Sequence, residues 1–111
     1  MKITRIRLYK TELPYVDGAY AWGAGNAIET AVASVVVIAT DAGLQGCGEF
    51  TPCGENYMVA HSEGVGALLP LLAPHLLGQD PRNVAGIAAL MDHVVQGHGY
   101  AKSPIDAACC D

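Results

Sequence analysis

The stretch AVASVVVIATDAGLQGCGEFT, residues 31–51, predicts a β-hairpin and with it the fold class. Residues 31–40 are dense in β-branched side chains, which favour extended backbone and are typical of a central strand. Asp41–Gly43 supplies a turn, with glycine where a positive φ is expected. Residues 44–51 then return as a further strand, and because the connection is short the two strands are expected to be antiparallel neighbours.

A first strand and an irregular loop precede this hairpin. Residues 2–13 read as a strand, which Pro14 ends because proline has no N–H to donate to a sheet. Arg5 and Arg7 fall on one face of that strand, which indicates a solvated sheet face. Residues 15–30 show the period of neither a strand nor a helix, and their glycines and aromatic residues predict a mobile loop.

Helical spacing replaces strand spacing after the loop TPCGEN, residues 51–56. Apolar residues then recur three and four positions apart, but Pro70 and Pro74 are expected to break this run into pieces. A second helix is expected to be capped by Asp80-Pro81 and stopped by Gly97.

The last residues, AKSPIDAACCD (101–111), predict the opening of a third helix. Ser103 is a candidate N-cap, and Pro104 suits the first helical position. Strands first and helices afterwards give an α+β fold, here a three-stranded antiparallel meander followed by a small helical bundle. We therefore expect a domain over residues 1–103, with residues 104–111 starting a helix that continues in a longer protein.

Composition indicates an ordered globular domain. Of the 111 residues, 51% are hydrophobic and 15% charged, with a net charge of −5, which favours a folded domain with an apolar surface that meets a partner. The acidic balance argues against nucleic acid, and no run approaches the roughly 20 apolar residues that span a membrane. Without a signal peptide, a cytoplasmic location is expected, with reduced cysteines.

Residue types that often carry chemistry form no convincing constellation in this sequence. Gly43, Gly46 and Gly48 lack the Gly-Lys-Ser/Thr of a phosphate loop and instead predict a strand that another backbone approaches closely. Neither zinc-knuckle spacing nor a paired-carboxylate site is present, and a buried structural cysteine is expected more than a cysteine nucleophile with a histidine base, so these patterns indicate no catalytic residue and no metal ligand. The residues whose types could form such sites are Cys47, Cys53, His61, His98, Glu49 and Glu55.

Two aromatic residues on irregular loops are the best candidates for ligand contact. Trp22 precedes the central strand and Tyr57 follows the last strand. In a meander both loops leave the same end of the sheet, so the rings can converge on a cationic amine, which each π face attracts by about 0.5–2 kcal/mol. Tyr20 and Asn56 accompany them as candidate substrate-binding residues, while core packing is an equal alternative for Tyr57.

The order of these segments resembles a known family. The strand MKITRIRLYKTELP (1–14), the aromatic loop, the hairpin with GCGE (46–49), the helices and YAKSPIDAACCD (100–111) together resemble the N-terminal capping domain of the enolase superfamily, in the mandelate racemase and muconate lactonizing enzyme group. The segments TPCGENYMVAHSEG (51–64) and GHGYAKSPIDAA (97–108) look like the members that act on hydroxyproline and its betaine. The resemblance implies that the two loops cover a barrel and select the substrate.

The resemblance also implies a Mg²⁺-dependent parent enzyme that removes the proton next to a carboxylate. The metal ligands and catalytic lysines are then expected on a (β/α)8 barrel outside this chain. The lysines of this chain are Lys2, Lys10 and Lys102. The expected reaction is dehydration of cis-3-hydroxy-L-proline, with epimerisation of a hydroxyproline or proline betaine as the alternative. No activity is expected from the 111 residues alone.

The expected partners are a small cationic amino acid or betaine as substrate, the barrel domain, and further copies of the same chain in a homo-oligomer. Neither a nucleic acid nor a membrane is expected as a partner. Two interpretations outside the family stay open. A stand-alone module could hold a cationic amino acid between Trp22 and Tyr57, or an interaction domain could dock its apolar helices on another chain.

Overall fold

The computed structural model of the chain describes residues 1–14, 18, 20–22, 26–28, 30–52, 60 and 62–111. The strands are β1 (Ile3–Pro14), β2 (Tyr20–Trp22), β3 (Asn26–Ile28), β4 (Thr30–Thr40) and β5 (Gln45–Phe50). The helices are α1 (Ser62–Leu76), α2 (Val84–Val94) and α3 (Gly99–Cys110). Strands followed by helices confirm the α+β class.

β4 is the centre of the main sheet, a three-stranded sheet in the order β1-β4-β5 with both pairings antiparallel. Val36 of β4 pairs with Leu8 of β1 and with Gly48 of β5, which confirms the meander and its hairpin. Val36 and Ile38 are buried in the core with residues of the three helices. Arg5 and Arg7 are exposed, as the alternation in β1 predicts.

A second, two-stranded sheet lies within residues 15–30, where the sequence predicts a loop without strands. β2 pairs with β3 in antiparallel register, with Ala21 opposite Ala27. The prediction of an irregular loop is therefore wrong for this hairpin. Strands of three residues are too short to show a period, and paired backbone rather than side-chain pattern defines them.

β5 and α3 pack backbone against backbone. A Cβ on Gly46 would overlap the carbonyl oxygen of Ala108, and a Cβ on Gly48 would overlap that of Pro104. The close backbone approach predicted for these glycines is confirmed, and it positions α3 directly on the edge strand.

α1 continues through Pro70 and Pro74, which corrects the expectation that these prolines divide it. Both prolines are exposed, and because they are four residues apart they share the outer face of the helix. Packing of the inner face compensates for the lost hydrogen bonds. That inner face consists of Val65, Leu69, Leu72 and Leu76.

The cap of α2 is Asn83 rather than Asp80-Pro81. The side-chain oxygen of Asn83 accepts a hydrogen bond from the backbone N–H of Gly86 at 3.1 Å. Asp80 instead pairs with Arg82, at 2.7 Å between Oδ2 and Nη2, so its carboxylate is engaged in the preceding turn. The helix ends at Val94, before the expected stop at Gly97.

α3 starts at Gly99, so Ser103 is not its N-cap and Pro104 is not its first residue. His98 occupies the cap position with a left-handed φ of 55° and makes no side-chain capping bond. The helix crosses the expected boundary at residues 103 and 104, and Ile105 is fully buried. α3 is therefore a core element, held by burial rather than by a local capping signal. None of the described helices is long and apolar enough to cross a bilayer.

Candidate functional site

Both segments that the sequence predicts to contact a ligand are attached at one end of the main sheet. Pro14 at the end of β1 pairs with Thr30 at the start of β4, and the β2–β3 hairpin lies between them in sequence. Phe50 at the end of β5 pairs with Ser34 of β4, and residues 53–59 follow it after Thr51 and Pro52. The common end that the meander predicts is confirmed.

The structure describes two of the four predicted binding residues. Tyr20 and Trp22 are the first and last residues of β2, in register with Ile28 and Asn26 of β3. Asn56 and Tyr57 lie outside the described residues, as do Cys53 and His61. The structure therefore attaches the first pair to the expected end of the sheet, and the convergence of all four stays a prediction.

An ion pair ties β1 to the start of α1 near this end. Lys10 Nζ lies 3.2 Å from Oε2 of Glu63, which stands in the first turn of α1, where negative charge is favoured. Lys10 pairs in register with Ser34, whose buried hydroxyl has no hydrogen-bond partner among the residues described. Because Glu63 is largely exposed, the pair fixes orientation more than it adds stability.

A ring cluster lies beneath the same end. Tyr100 of α3 contacts Phe50 at 5.6 Å between ring centroids and His98 at 5.7 Å in edge geometry. Its ring also fills the space beside Gly64 of α1, where a Cβ would lie 2.6 Å from Cζ. Sequence reasoning assigned no role to Tyr100 or Gly64. No local signal could have done so, because the two residues meet only through tertiary packing.

The side chains of Lys102 and Cys109 are unsuited to proton transfer or nucleophilic attack. Lys102 is 8% exposed and donates to Asp92 Oδ1 at 2.7 Å and to the carbonyl of Val95, which binds α3 to the end of α2. Burial raises the pKa of the Cys109 thiol to about 11, with the nearby Asp106 and Cys110 adding to the effect. Cys109 is therefore protonated and unreactive at neutral pH.

Asp80 and Arg82, which lie away from this end of the sheet, shift each other's pKa. Hydrogen bonds from the side chain and backbone of Arg82 hold the pKa of Asp80 well below its usual value of 3.8. The same pairing raises the pKa of Arg82. Both groups are engaged with each other in the turn before α2, so the shift reflects a structural pair.

Mg²⁺ takes oxygen ligands in octahedral geometry and is bound in proteins through carboxylates, waters and substrate oxygens. Within the described ranges, no three side chains of His, Cys, Asp or Glu are grouped so that they could hold a metal ion.

Comparison with known proteins places the architecture in a family. Residues 20–111 match the family model described as the N-terminal domain of mandelate racemase / muconate lactonizing enzyme. The cis-3-hydroxy-L-proline dehydratase of Roseibium aggregatum is 46% identical over 111 residues, which is all of this chain and 30% of that protein. The chain thus spans about 30% of the length of this relative.

Solved structures agree in fold. A mandelate racemase/muconate lactonizing enzyme from Roseovarius nubinhibens ISM is 78% identical with a TM-score of 0.95, over 97% of this chain and 29% of that one. A dipeptide epimerase from Enterococcus faecalis V583, complexed with Mg and the dipeptide L-Leu-L-Tyr, is 28% identical with a TM-score of 0.88. The match covers 98% of this chain and 30% of the epimerase.

Proposed function

Because this chain belongs to the mandelate racemase / muconate lactonizing enzyme family as its N-terminal domain, we propose that it is the substrate-selecting cover of a cis-3-hydroxy-L-proline dehydratase. The observation that carries this proposal is the 46% identity to such a dehydratase over the whole chain. In the proposed reaction the proton next to the substrate carboxylate is removed and the 3-hydroxyl leaves.

The proposed substrate contacts are Tyr20 and Trp22 on the β2–β3 hairpin and Asn56 and Tyr57 between β5 and α1. Attachment of both segments to one end of the main sheet supports this assignment. Aromatic faces attract the cationic amine of a proline derivative. A cover over the reacting centre also excludes water from the reactive intermediate.

The proposal assigns the proton-moving groups and Mg²⁺ to the barrel of the full-length enzyme. The Mg-bound epimerase supports a Mg²⁺ requirement in the family. Lys102 is paired with Asp92, and Lys10 is paired with Glu63. These ion pairs support the proposal that this chain supplies no catalytic base. When bound in the barrel, the metal stabilises the negative charge that forms on the substrate carboxylate.

Epimerisation is the second candidate, favoured by the dipeptide epimerase of the same fold. The substrate in that case is a hydroxyproline or proline betaine, and the proton returns on the opposite face of the carbon. Both reactions share the first step, so the same cover serves either.

We also propose a cytoplasmic homo-oligomer. The free thiols of Cys47, Cys109 and Cys110 are compatible with a reducing compartment. Exposed Leu71 and Leu77 offer apolar surface on α1 and just beyond it. Sedimentation of the full-length enzyme tests the assembly, and a monomer at micromolar concentration contradicts it.

A chimera tests the proposed function. The matching N-terminal segment of the Roseibium aggregatum dehydratase is replaced by this chain, and dehydration of cis-3-hydroxy-L-proline is measured with Mg²⁺. We expect kcat/KM within about tenfold of the parent, and a KM that rises at least about fivefold for Trp22→Ala and for Tyr57→Ala, from loss of one ring contact each. Leu44→Ala, in the exposed turn at the opposite end of the sheet, is the matched control and leaves KM unchanged.

Other outcomes identify the alternatives. A folded chimera that fails to dehydrate but epimerises proline betaine supports the second candidate. Binding of proline betaine to the isolated chain, measured by calorimetry, supports a stand-alone binding module instead.

A further inference from the structure

We propose that the face of the main sheet turned away from the helices binds the same face of a second copy of this chain. This outer sheet face consists of Arg7, Tyr9, Val35, Val37, Cys47 and Glu49. The inference goes beyond the proposed reaction, and it gives the proposed homo-oligomer a contact surface.

The alternation of burial along the central strand defines this face. Val36 and Ile38 are buried against the helices, so Val35 and Val37 point to the opposite side, where both are half-buried. On β5 the residues that face α3 are glycines, so their exposed neighbours point to the same side as Val35 and Val37. The outer sheet face therefore has an apolar stripe along its centre.

Opposite charges flank this stripe. Arg7 lies on β1 at one side and Glu49 on β5 at the other, and both are exposed. Arg7 Nη1 donates to the Tyr9 hydroxyl at 3.2 Å, and Glu49 Oε1 accepts from the Thr51 hydroxyl at 2.7 Å. Neither charge forms an ion pair with another described residue. The face thus carries unpaired charges of both signs, which match a copy of the same face better than a partner of uniform charge.

The charges also decide how two copies can meet. A two-fold axis parallel to β4 places β1 of each copy over β5 of the other. Arg7 then stands over Cys47 of the second copy, and Glu49 of the second copy, two residues along the strand, is within reach of its long side chain. An axis across the strands places β1 over β1 instead, which gathers Arg5 and Arg7 of both copies and forms no pair of opposite charges. We propose the first arrangement.

The dimensions of the face set the expected affinity. Three strands about 4.8 Å apart and about six residues at 3.3 Å each make a face of roughly 15 by 20 Å. Specific interfaces bury roughly 800 Å² per partner, so this contact is small and we expect a Kd of about 10–100 µM. Sheets packed face to face stand about 10 Å apart, which lets Val35 and Val37 of the two copies interdigitate. The apolar stripe supplies the affinity, and the charges select the orientation.

Two charge-reversal variants of the 111-residue chain test this arrangement. Arg7→Glu and Glu49→Arg are each expected to raise the Kd at least about tenfold in sedimentation equilibrium, since each places like charges together. An equimolar mixture of the two variants is expected to associate with a Kd within about threefold of wild type, because both pairs in the mixed dimer are again of opposite sign. Lys2→Glu makes the same change of charge at an exposed lysine before β1. This matched control is expected to leave the Kd within about twofold.

Other results of this experiment overturn the proposal. A wild-type chain that stays monomeric up to about 500 µM contradicts it, since that concentration exceeds the expected Kd. So does a mixture that associates no better than either variant alone. A dimer that survives both charge reversals but dissociates with Leu77→Gln lies on the exposed apolar surface beyond α1 instead. Circular dichroism checks that each variant keeps its fold.

The thiol of Cys47 provides a second measurement that needs no substitution. Cys47 is exposed in one copy, and the proposed dimer covers it with Arg7 of the second copy. We expect its alkylation to slow at least about threefold when the chain concentration rises from about 1 µM to about 500 µM, because the dimer forms by mass action. Exposed Cys110, at the end of α3, is the internal control and keeps its rate. Equal rates for Cys47 at the two concentrations overturn the proposal.

The chimera separates this proposal from the proposed function, on whose homo-oligomer it rests. An active chimera, together with charge-reversal chains that do not associate when mixed, contradicts the sheet contact alone. An inactive chimera, together with charge-reversal chains that associate when mixed, contradicts the proposed function while the sheet contact stands.

Discussion

Substitution of Gly48 by alanine probes the contact on which the position of α3 depends. The added Cβ would lie 2.7 Å from the carbonyl carbon of Pro104 and 2.9 Å from the backbone nitrogen of Ala108. Non-bonded carbon atoms are most stable at about 3.5–4.0 Å, and the carbonyl oxygen of Pro104 lies closer to the added Cβ than either of these atoms, so α3 must move outward by more than about 1 Å. The obstacle is helix backbone, which cannot rotate aside as a side chain can.

The expected loss of unfolding free energy lies in the upper part of the range for overpacked sites. Insertion of one methyl group into a packed core costs about 1–3 kcal/mol, and a rigid neighbour favours the larger value. Replacement of glycine in a strand returns about 0.5–1 kcal/mol of backbone entropy. We therefore expect Gly48→Ala to lower the free energy of unfolding by about 2 kcal/mol, and Tm by about 10 °C.

Urea unfolding followed by circular dichroism measures this change. Gly99→Ala is the matched control, since a Cβ at the first residue of α3 meets no atom within 4 Å. We expect the control to be neutral or slightly stabilising. A Gly48→Ala protein within about 0.5 kcal/mol of wild type would refute the backbone contact between β5 and α3.

Three further predictions concern local interactions. Asn83→Ala should lower the unfolding free energy by about 1 kcal/mol, measured in urea, because α2 loses its cap, and Asn83→Ser should recover most of it. Since the folded-state pKa of Asp80 lies below 3.8, its pairing with Arg82 stabilises the fold at neutral pH and is lost as the pH falls below about 4. Arg82→Ala should therefore reduce the fall in Tm between about pH 5 and pH 2, and an unchanged slope would contradict the pairing. With its pKa raised to about 11, Cys109 should be alkylated more slowly than exposed Cys110 at pH 8 in the folded chain, and equally fast after denaturation, as mass spectrometry of the modified peptides can show.

Local patterns in the sequence predict the main sheet well. The β-branched run of β4 and the turn at Asp41–Gly43 specify a hairpin without help from distant residues, and the observed antiparallel pairing of β4 with β5 agrees. The spacing of Gly46 and Gly48 even predicts that a backbone lies against them, although not which one.

Features that depend on tertiary packing could not be predicted in this way. Pro70 and Pro74 break an isolated helix, but the buried face of α1 outweighs that preference. Ser103 and Pro104 form a convincing local start signal, yet α3 begins at Gly99 because its buried face extends further. The sequence pattern favours Asp80-Pro81 as the cap of α2, but in the structure Arg82 engages Asp80 and the side chain of Asn83 caps the helix.

The candidate site also combines a feature that the sequence predicts with one that depends on tertiary packing. Its attachment to one end of the sheet follows from the strand order alone. The ring of Tyr100 between Phe50 and Gly64 depends on three segments that are distant in sequence, so no motif reports it.

The central claim is that this chain covers and selects a substrate while another domain moves the proton. Loss of the substrate α-proton signal, followed by NMR in D₂O with Mg²⁺ and cis-3-hydroxy-L-proline, tests it most directly, because dehydration and epimerisation both begin with removal of that proton. We predict loss of the signal with the chimera and none with the 111-residue chain alone at equal concentration. Loss of the signal catalysed by the isolated chain would contradict the account.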